Sequence, residues 1–388
     1  MKITLLAPDV SSNCMGRVYI LAGMLRQRNY QVEIAGPMSG SGVWEPLAGI
    51  DIPVKTFKAA NLPAFIRALP GLCRSIEGDV IYAVKPLPTS FGTGLAVKMR
   101  RGAPLILDID DWEKGFFLTQ KPWRRLLKGI LKLGRPHSYL YAALMEKFIP
   151  LADALTAASS FLQRKYGGTL IPHARDTDFF NPDRITSIPL RSGKLAGKKI
   201  IMFLGTPRPH KGLADLVKAI KLLNDPNITL VIIGAAENER LRQPENAGDA
   251  SIILLGKQPF SAVPSFLAAA DLVVLPQQAE PCSRAQVPAK VFDAMAMARP
   301  VIATGVSDLP EILDGCGVIV PPGDPHALAR QINLLLQNKD LAGALGRAAR
   351  RKCIAQYSWK AVSGALDNLI RNLLKKHRCG KIASLRSQ

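Results

Sequence analysis

Three short stretches of this chain carry residues whose types and spacing suit chemistry. The first is "PQQAEPCSRAQVPAKVFDAMAMARPVIAT", a loop and an apolar helix between two apolar strands, with Glu280, Gln286, Lys290 and Asp293 along it. Pro288 suits a first helical position, because it has no N–H to leave unbonded there. The amides that follow attract phosphate, and Lys290 adds a positive charge. Asp293, three residues on, shares that helix face and can accept hydrogen bonds from ribose hydroxyls. Charges facing solvent are the plainer reading of the same pair. The second stretch is "FLGTPRPHKGLADLVKAI". Gly205 allows close backbone approach after a strand. Arg208 and Lys211 then bring two cations to a loop just before a helix start at Gly212, an arrangement that suits a diphosphate. The third is "LILDIDDWEKG", with Asp108, Asp110 and Asp111 at a strand's end. Strand alternation puts Asp108 and Asp110 on one face. Such a pair can hold a divalent metal that bridges a nucleotide's phosphates, or can orient an acceptor hydroxyl; capping aspartates in a turn are the plain alternative.

Two weaker features accompany these. "APDVSSNCMGRVYILAG" runs from strand through a small-residue loop into a helix, where Gly16 and Arg17, with Asn13, would line a ligand. Only Gly16 of a full Gly-x-Gly-x-x-Gly fingerprint is present, so dinucleotide binding is weakly supported. His173, in "LIPHARDTDFFNPD", is a lone histidine of the kind more often structural than catalytic.

The elements that must position these residues alternate along the chain. "KITLLAP", "QVEIAGP", "DVIYAV", "PLILDID" and "ADALTAAS" read as strands separated by helix-length segments. That alternation predicts a parallel sheet covered on both faces. The pattern breaks over 183–198, which is rich in glycine, serine and charge, and restarts with "IIMFLGTP", "ITLVIIGA", "ASIILLGK", "DLVVLPQ", "PVIAT" and "GVIVPP". The expected organisation is therefore a first Rossmann-like domain over 1–182, a linker over 183–198, and a second such domain over 199–355. A C-terminal helix and basic tail over 356–388 are expected to pack back toward the first domain. Two such domains suggest a ligand between them, at the carboxyl ends of the strands.

One segment departs from the alternation. Over 114–150 eight Lys and Arg residues stand against the single Glu146. Trp123, Leu126, Leu127, Ile130 and Leu131 follow helical spacing, while Arg124, Arg125, Lys128 and Lys132 lie mainly off that stripe. A basic amphipathic helix of this kind lies on anionic membranes, although the same stripe would also serve to pack a surface helix on its domain.

Bulk properties set the limits. A chain of 388 residues is long enough for two domains. Its net charge of +21 implies an anionic partner, whether nucleic acid, acidic lipid or a phosphorylated substrate. No nucleic-acid module is recognisable, and aromatics are only 6 %. The six cysteines are scattered without a Cys-x-x-Cys pair, which argues against a zinc site or disulfide framework and fits a reducing cytoplasm. No apolar run reaches the roughly 18 residues of a membrane span, and "MKITLLAPD" lacks the apolar core of a signal peptide.

Taken together, "ADALTAASSFL", "IPHARDTDFFNP", "FLGTPRPHKGLADLVKAI", "VPSFLAAADLVVLP", "KVFDAMAMARPVIATGVSDLPEIL" and "VIVPPGDPHALARQI" resemble the retaining, nucleotide-sugar-dependent glycosyltransferases of the GT-B fold, group 1 type, in order and spacing. The resemblance implies two facing Rossmann-like domains with parallel sheets and a central cleft. In that family two glutamates stand with seven residues between, the second before Ala-Met-Ala and bound to ribose. Asp293 precedes Ala294, Met295 and Ala296, one methylene shorter, and Ala285 stands where the first acid would be. Lys211 matches the family's diphosphate lysine; the family's arginine is Thr206 here, with Arg208 as a substitute two residues on. The resemblance further implies no metal and no other cofactor, no obligatory enzyme nucleophile, and a leaving diphosphate that helps deprotonate the acceptor.

The expected function is sugar transfer from a nucleotide diphosphate donor to a lipid-linked or cell-envelope glycan. Gly16, Arg17, Gly205, Arg208, Lys211, Glu280, Gln286, Lys290 and Asp293 would serve the donor, and Asp110 and Asp111 the acceptor side. Alternatives are an epimerase of the same fold, which would have to draw on His173, His210 and scattered carboxylates, or a non-catalytic nucleotide-sugar-binding protein. The expected location is the cytoplasm, at the inner face of the membrane, with no nucleic-acid partner.

Overall fold

Short runs of β-branched residues and leucine build two separate sheets, and every strand pair in them is parallel. The computed structural model describes residues 1–132, 134–192, 195–235 and 252–386. Parts of the expected linker, the residues between "ITLVIIGA" and "ASIILLGK", the end of the basic tail and the Lys128 side chain lie outside the described residues. The chain forms two units: Met1–His173 with Trp359–Gln388, and Ala174–Ser358.

The first unit's sheet contains β1 (Lys2–Leu6), β2 (Gln31–Met38), β3 (Val54–Lys58), β4 (Val80–Val84), β5 (Leu105–Ile109), β6 (Ala154–Ala157) and β7 (Thr169–Leu170), in the order β3-β2-β1-β4-β5-β6-β7. β4 and β5 are buried along their whole length. That follows from helices covering both faces, and it explains why these strands read as continuous apolar runs. The second unit's sheet contains β8 (Lys199–Leu204), β9 (Ile228–Ile233), β10 (Ile252–Leu255), β11 (Leu272–Leu275), β12 (Val301–Thr304) and β13 (Val318–Val320), ordered β10-β9-β8-β11-β12-β13. Its two faces carry separate apolar clusters, one around Phe292 and Met295, the other around Phe203 and Leu216. In each sheet the winding direction reverses once, between β1 and β4 and between β8 and β11. Loops part at such a reversal, outside the carboxyl ends of the strands, and leave room for a ligand.

The boundary between units falls ahead of the 183–198 stretch. The Arg175 amide donates to the Tyr357 carbonyl at 2.8 Å, and Phe180 is fully buried in the second unit's core, as is Leu195 beyond it. These anchors bind residues after His173 to the second unit, even though the local sequence looks like a linker. The last helix, Trp359–Arg386, belongs to the first unit and packs on the helix Met15–Arg26. Gly23 makes the approach close: a Cβ there would run into the Trp359 ring. Tyr19 meets the same ring edge-on at 5.9 Å, Arg28 donates to the Ser363 hydroxyl at 2.9 Å, and the Tyr30 hydroxyl donates to Asp367 at 2.5 Å.

Candidate functional site

In the second unit the loops after β8 and β11 are tied together. Gly205 has φ +130°, and a Cβ on it would lie 3.0 Å from Lys211 Nζ, so the ammonium sits against bare backbone. Gly212 has φ +67°, and a Cβ there would run into the Pro276 carbonyl oxygen. The Gln278 amide donates to the His210 carbonyl at 2.9 Å, and its side-chain amide donates to Asp215. Thr304, ending β12, donates its hydroxyl to the Gln277 carbonyl at 2.7 Å. Three strand ends are thereby held around one loop that carries Gly205, Arg208 and Lys211. Arg208 is exposed and Lys211 half-buried, while His210 is buried at the loop junction. Glu280 and Gln286 bracket the short helix Pro281–Ala285, and both are half-buried.

Asp293 lies on the next helix, Lys290–Ala296, and is 0 % exposed. Arg175 Nε donates to one carboxylate oxygen, and Lys290 Nζ stands 3.0 Å from the other. The same guanidinium donates to the Ala289 and Ala174 carbonyls, each at 2.9 Å. Burial works against the Asp293 charge, but Arg175 and Lys290 outweigh it and hold the carboxyl below the ordinary carboxylate range. Asp293, expected to meet the ribose, is held within the fold by these two cations. Lys290 stays half-buried beside it. Arg175 escaped the sequence reading, because nothing local links it to a residue 118 positions away.

In the first unit, Gly16 and Arg17 open the helix Met15–Arg26. A Cβ at Gly16 would meet only Trp44, at 3.9 Å, so no close approach requires glycine there. Arg17, 3 % exposed, donates through Nε and Nη2 to Asp108 at 2.9 and 2.8 Å, and further to the Ile171 and Pro172 carbonyls at 2.7 and 3.1 Å. Arg17, expected to serve the donor, ties β5 to the segment after β7. Asp108 also accepts from the Thr156 hydroxyl at 2.7 Å, which engages the carboxylate within the fold.

Asp110 and Asp111 come together around a residue the sequence reading passed over, Lys85, which directly follows β4. Its Nζ lies 3.3 Å from Asp110, 2.8 Å from Glu113 and in contact with Asp111. Burial opposes the ammonium, yet the three carboxylates more than offset it and keep Lys85 well above its ordinary value. Burial, then the like charges of Asp111 and Asp108, push Asp110 up to about 7 against the pull of Lys85 and Arg17. Asp108 and Asp110 are thus each committed to a cation, and among the described residues no group of three or more His, Cys, Asp and Glu is placed to hold a metal ion.

The helix Pro122–Leu131 leaves its apolar residues uncovered: Trp123 is 58 % and Leu131 76 % exposed, and Leu126, Leu127 and Ile130 are also exposed. Arg124 lies 5.1 Å from the Trp123 ring centre, and Arg125 5.7 Å from that of Tyr139. No helix among the described residues is long and apolar enough to cross a membrane.

Two parallel α/β units, each with a winding reversal and one with a basic loop there, define an architecture of the doubly wound class. Comparison with known proteins narrows this. Residues 198–338 match the family Glycosyl transferases group 1. The chain is 27 % identical to phosphatidyl-myo-inositol mannosyltransferase from Mycobacterium leprae, over 94 % of this chain and 95 % of that one. Its fold is that of sucrose-phosphate synthase from Thermosynechococcus elongatus, with a TM-score of 0.76 at 20 % identity, covering 97 % of this chain and 100 % of that one. It is also that of Anabaena Alr3699/HepE solved with UDP-glucose, at TM-score 0.72, 17 % identity, and 96 % and 100 % coverage. The chain has the GT-B fold of these structures, and its residues 198–338 are similar to Glycosyl transferases group 1.

Proposed function

We propose that this enzyme moves a sugar from a nucleotide diphosphate donor to a lipid-linked or cell-envelope glycan, with retention of configuration and without a metal ion. The observation that carries the donor half is the locked loop Gly205–Gly212 at the β8/β11 reversal, with Lys211 against bare backbone. Lys211, Arg208 and Lys290 hold the diphosphate; Glu280 and Gln286 lie along the adjoining loop toward the sugar. The binding of UDP-glucose by the Anabaena protein and the mannosyl transfer named for the mycobacterial relative support a nucleotide-sugar donor. Asp110 and Asp111 accept hydrogen bonds from the acceptor hydroxyl. The leaving diphosphate takes the proton of that hydroxyl on the face where the new bond forms. The protein's work is then orientation and stabilisation of the leaving charge.

The helix Pro122–Leu131 supports a peripheral site of action, on the cytoplasmic face of an anionic membrane where lipid-linked acceptors reside. Exposed Trp and Leu side chains enter the interface while flanking Arg and Lys meet lipid headgroups. The deciding experiment measures transfer and donor hydrolysis for Lys211→Ala with a panel of nucleotide sugars. A hydrogen bond to a charged group contributes about 1.5–3 kcal/mol, so both activities fall by about 10- to 100-fold. Unchanged turnover removes the diphosphate assignment. Epimer formation without acceptor, or tight binding without turnover, would replace transfer with one of the two alternatives.

A further inference from the structure

Lys85 is the one buried lysine among the described residues that the donor site does not use, and its placement is unusual in three respects. It is the first residue after β4, at the winding reversal of the first sheet. Its backbone has φ +68°, a left-handed conformation that a side chain other than glycine rarely adopts. Hydrogen bonds pin it there: its amide donates to the Asp108 carbonyl at 2.8 Å, and its carbonyl accepts from the Leu87 amide and the Ser90 hydroxyl, both at 2.9 Å. Its side chain is 4 % exposed and meets three carboxylates.

Charge neutralisation alone does not account for this. One ammonium against Asp110, Asp111 and Glu113 leaves excess negative charge in a buried place, which is costly unless the charge has a use. A fold needing only a quiet strand end would do better with apolar residues there. Strained backbone held by its surroundings, next to excess charge at a sheet reversal, is the pattern of a preorganised site.

We infer that Lys85 is a positioning residue of the acceptor side, fixing the Asp110 and Asp111 carboxylates in one arrangement and setting the charge they present to an acceptor hydroxyl. The inference rests on the reading of Asp110 and Asp111 given above. Lys85 acts through them and does not itself touch the sugar. Several other groups also face Asp110: Asp108 and Asp111 from its own strand end, and Arg17 and Cys14 from the helix Met15–Arg26 and its start. His137 faces Glu113, Lys85 and Asp9. None of the cations among them replaces Lys85, because Arg17 is committed to Asp108.

The test uses the full chain with UDP-glucose, UDP-N-acetylglucosamine and GDP-mannose as donors and octyl glycosides as acceptors, after thermal melts of each variant. Loss of a fixed geometry costs up to about 100-fold, so Lys85→Met raises the acceptor KM by about 10- to 100-fold with donor KM unchanged. It also moves the pH dependence of acceptor KM upward, because Asp110 keeps its proton to higher pH without the ammonium. Lys85→Arg keeps the charge and recovers most of the acceptor KM. Lys85→Gln, which removes the charge and keeps a donor, gives the same reading if Lys85→Met does not fold. Donor and acceptor parameters worsening together, with Lys85→Arg no better than Lys85→Met and the pH profile unmoved, would overturn the inference in favour of a stability role. Asp110→Asn separates the two levels. An unchanged acceptor KM in Asp110→Asn sinks the acceptor reading itself. A raised KM there with a normal one in Lys85→Met sinks only the role of Lys85.

Discussion

Asp293 shows what a single carboxylate's surroundings decide. Its spacing from Lys290 made their pairing readable, and the two do meet at 3.0 Å. The sequence could not show Arg175 reaching the same carboxylate, since that contact exists only once the second unit has folded. Removing one partner of a buried pair leaves an uncompensated charge, so Arg175→Ala is expected to cost about 3–5 kcal/mol in urea unfolding. Lys290 is partly exposed, and Lys290→Ala should cost about 1 kcal/mol or less while weakening donor binding. Asp293 is held below its ordinary range, so its contribution to stability is present above the unfolded carboxyl value and lost as pH falls through the folded one. The gap between wild type and Arg175→Ala should therefore narrow in acid. Asp110 has the opposite sign. Raised to about 7, it favours the folded state below its unfolded value and loses that contribution as pH rises to about 7. Asp110→Asn should then melt higher than wild type at pH 8, with a smaller gain at pH 5. A melting temperature lower than wild type at both pH values would refute the buried-charge account.

At the scale of elements, the strands and helices were legible because their apolar periods are local, whereas the covering of each face was not. The stripe Trp123, Leu126, Leu127, Ile130 and Leu131 could equally have packed inward; the structure leaves it uncovered. A triple variant Leu126→Ser, Leu127→Ser, Ile130→Ser should leave thermal stability nearly unchanged and abolish sedimentation with phosphatidylglycerol vesicles. If it unfolds the protein, the stripe is core and the membrane reading fails. Gly212 was readable as a helix start, but its left-handed backbone and the nearness of the Pro276 carbonyl were not. Gly212→Ala should cost about 1–3 kcal/mol and raise the donor KM, because the loop carrying Lys211 has to shift. Calorimetry with donor titration checks both at once.

For the whole molecule, two parallel sheets were predictable from strand–helix alternation. The point where one unit ends was not, because Phe180 and Leu195 reveal their allegiance only by burial. The net charge of +21 gives a further expectation: vesicle binding should weaken steeply as salt is raised, since attraction to an anionic surface is screened beyond about 10 Å at 0.1 M. The helix Trp359–Arg386 has its own bearing on how the molecule is made. It completes the unit that contains Met1, so the ribosome must deliver every residue of the second unit before the first can close. Domains ordinarily fold in the order of synthesis. Here the unit begun first finishes last, and until Trp359 emerges the face bearing Gly23, Tyr19 and Arg28 stays open to chaperones.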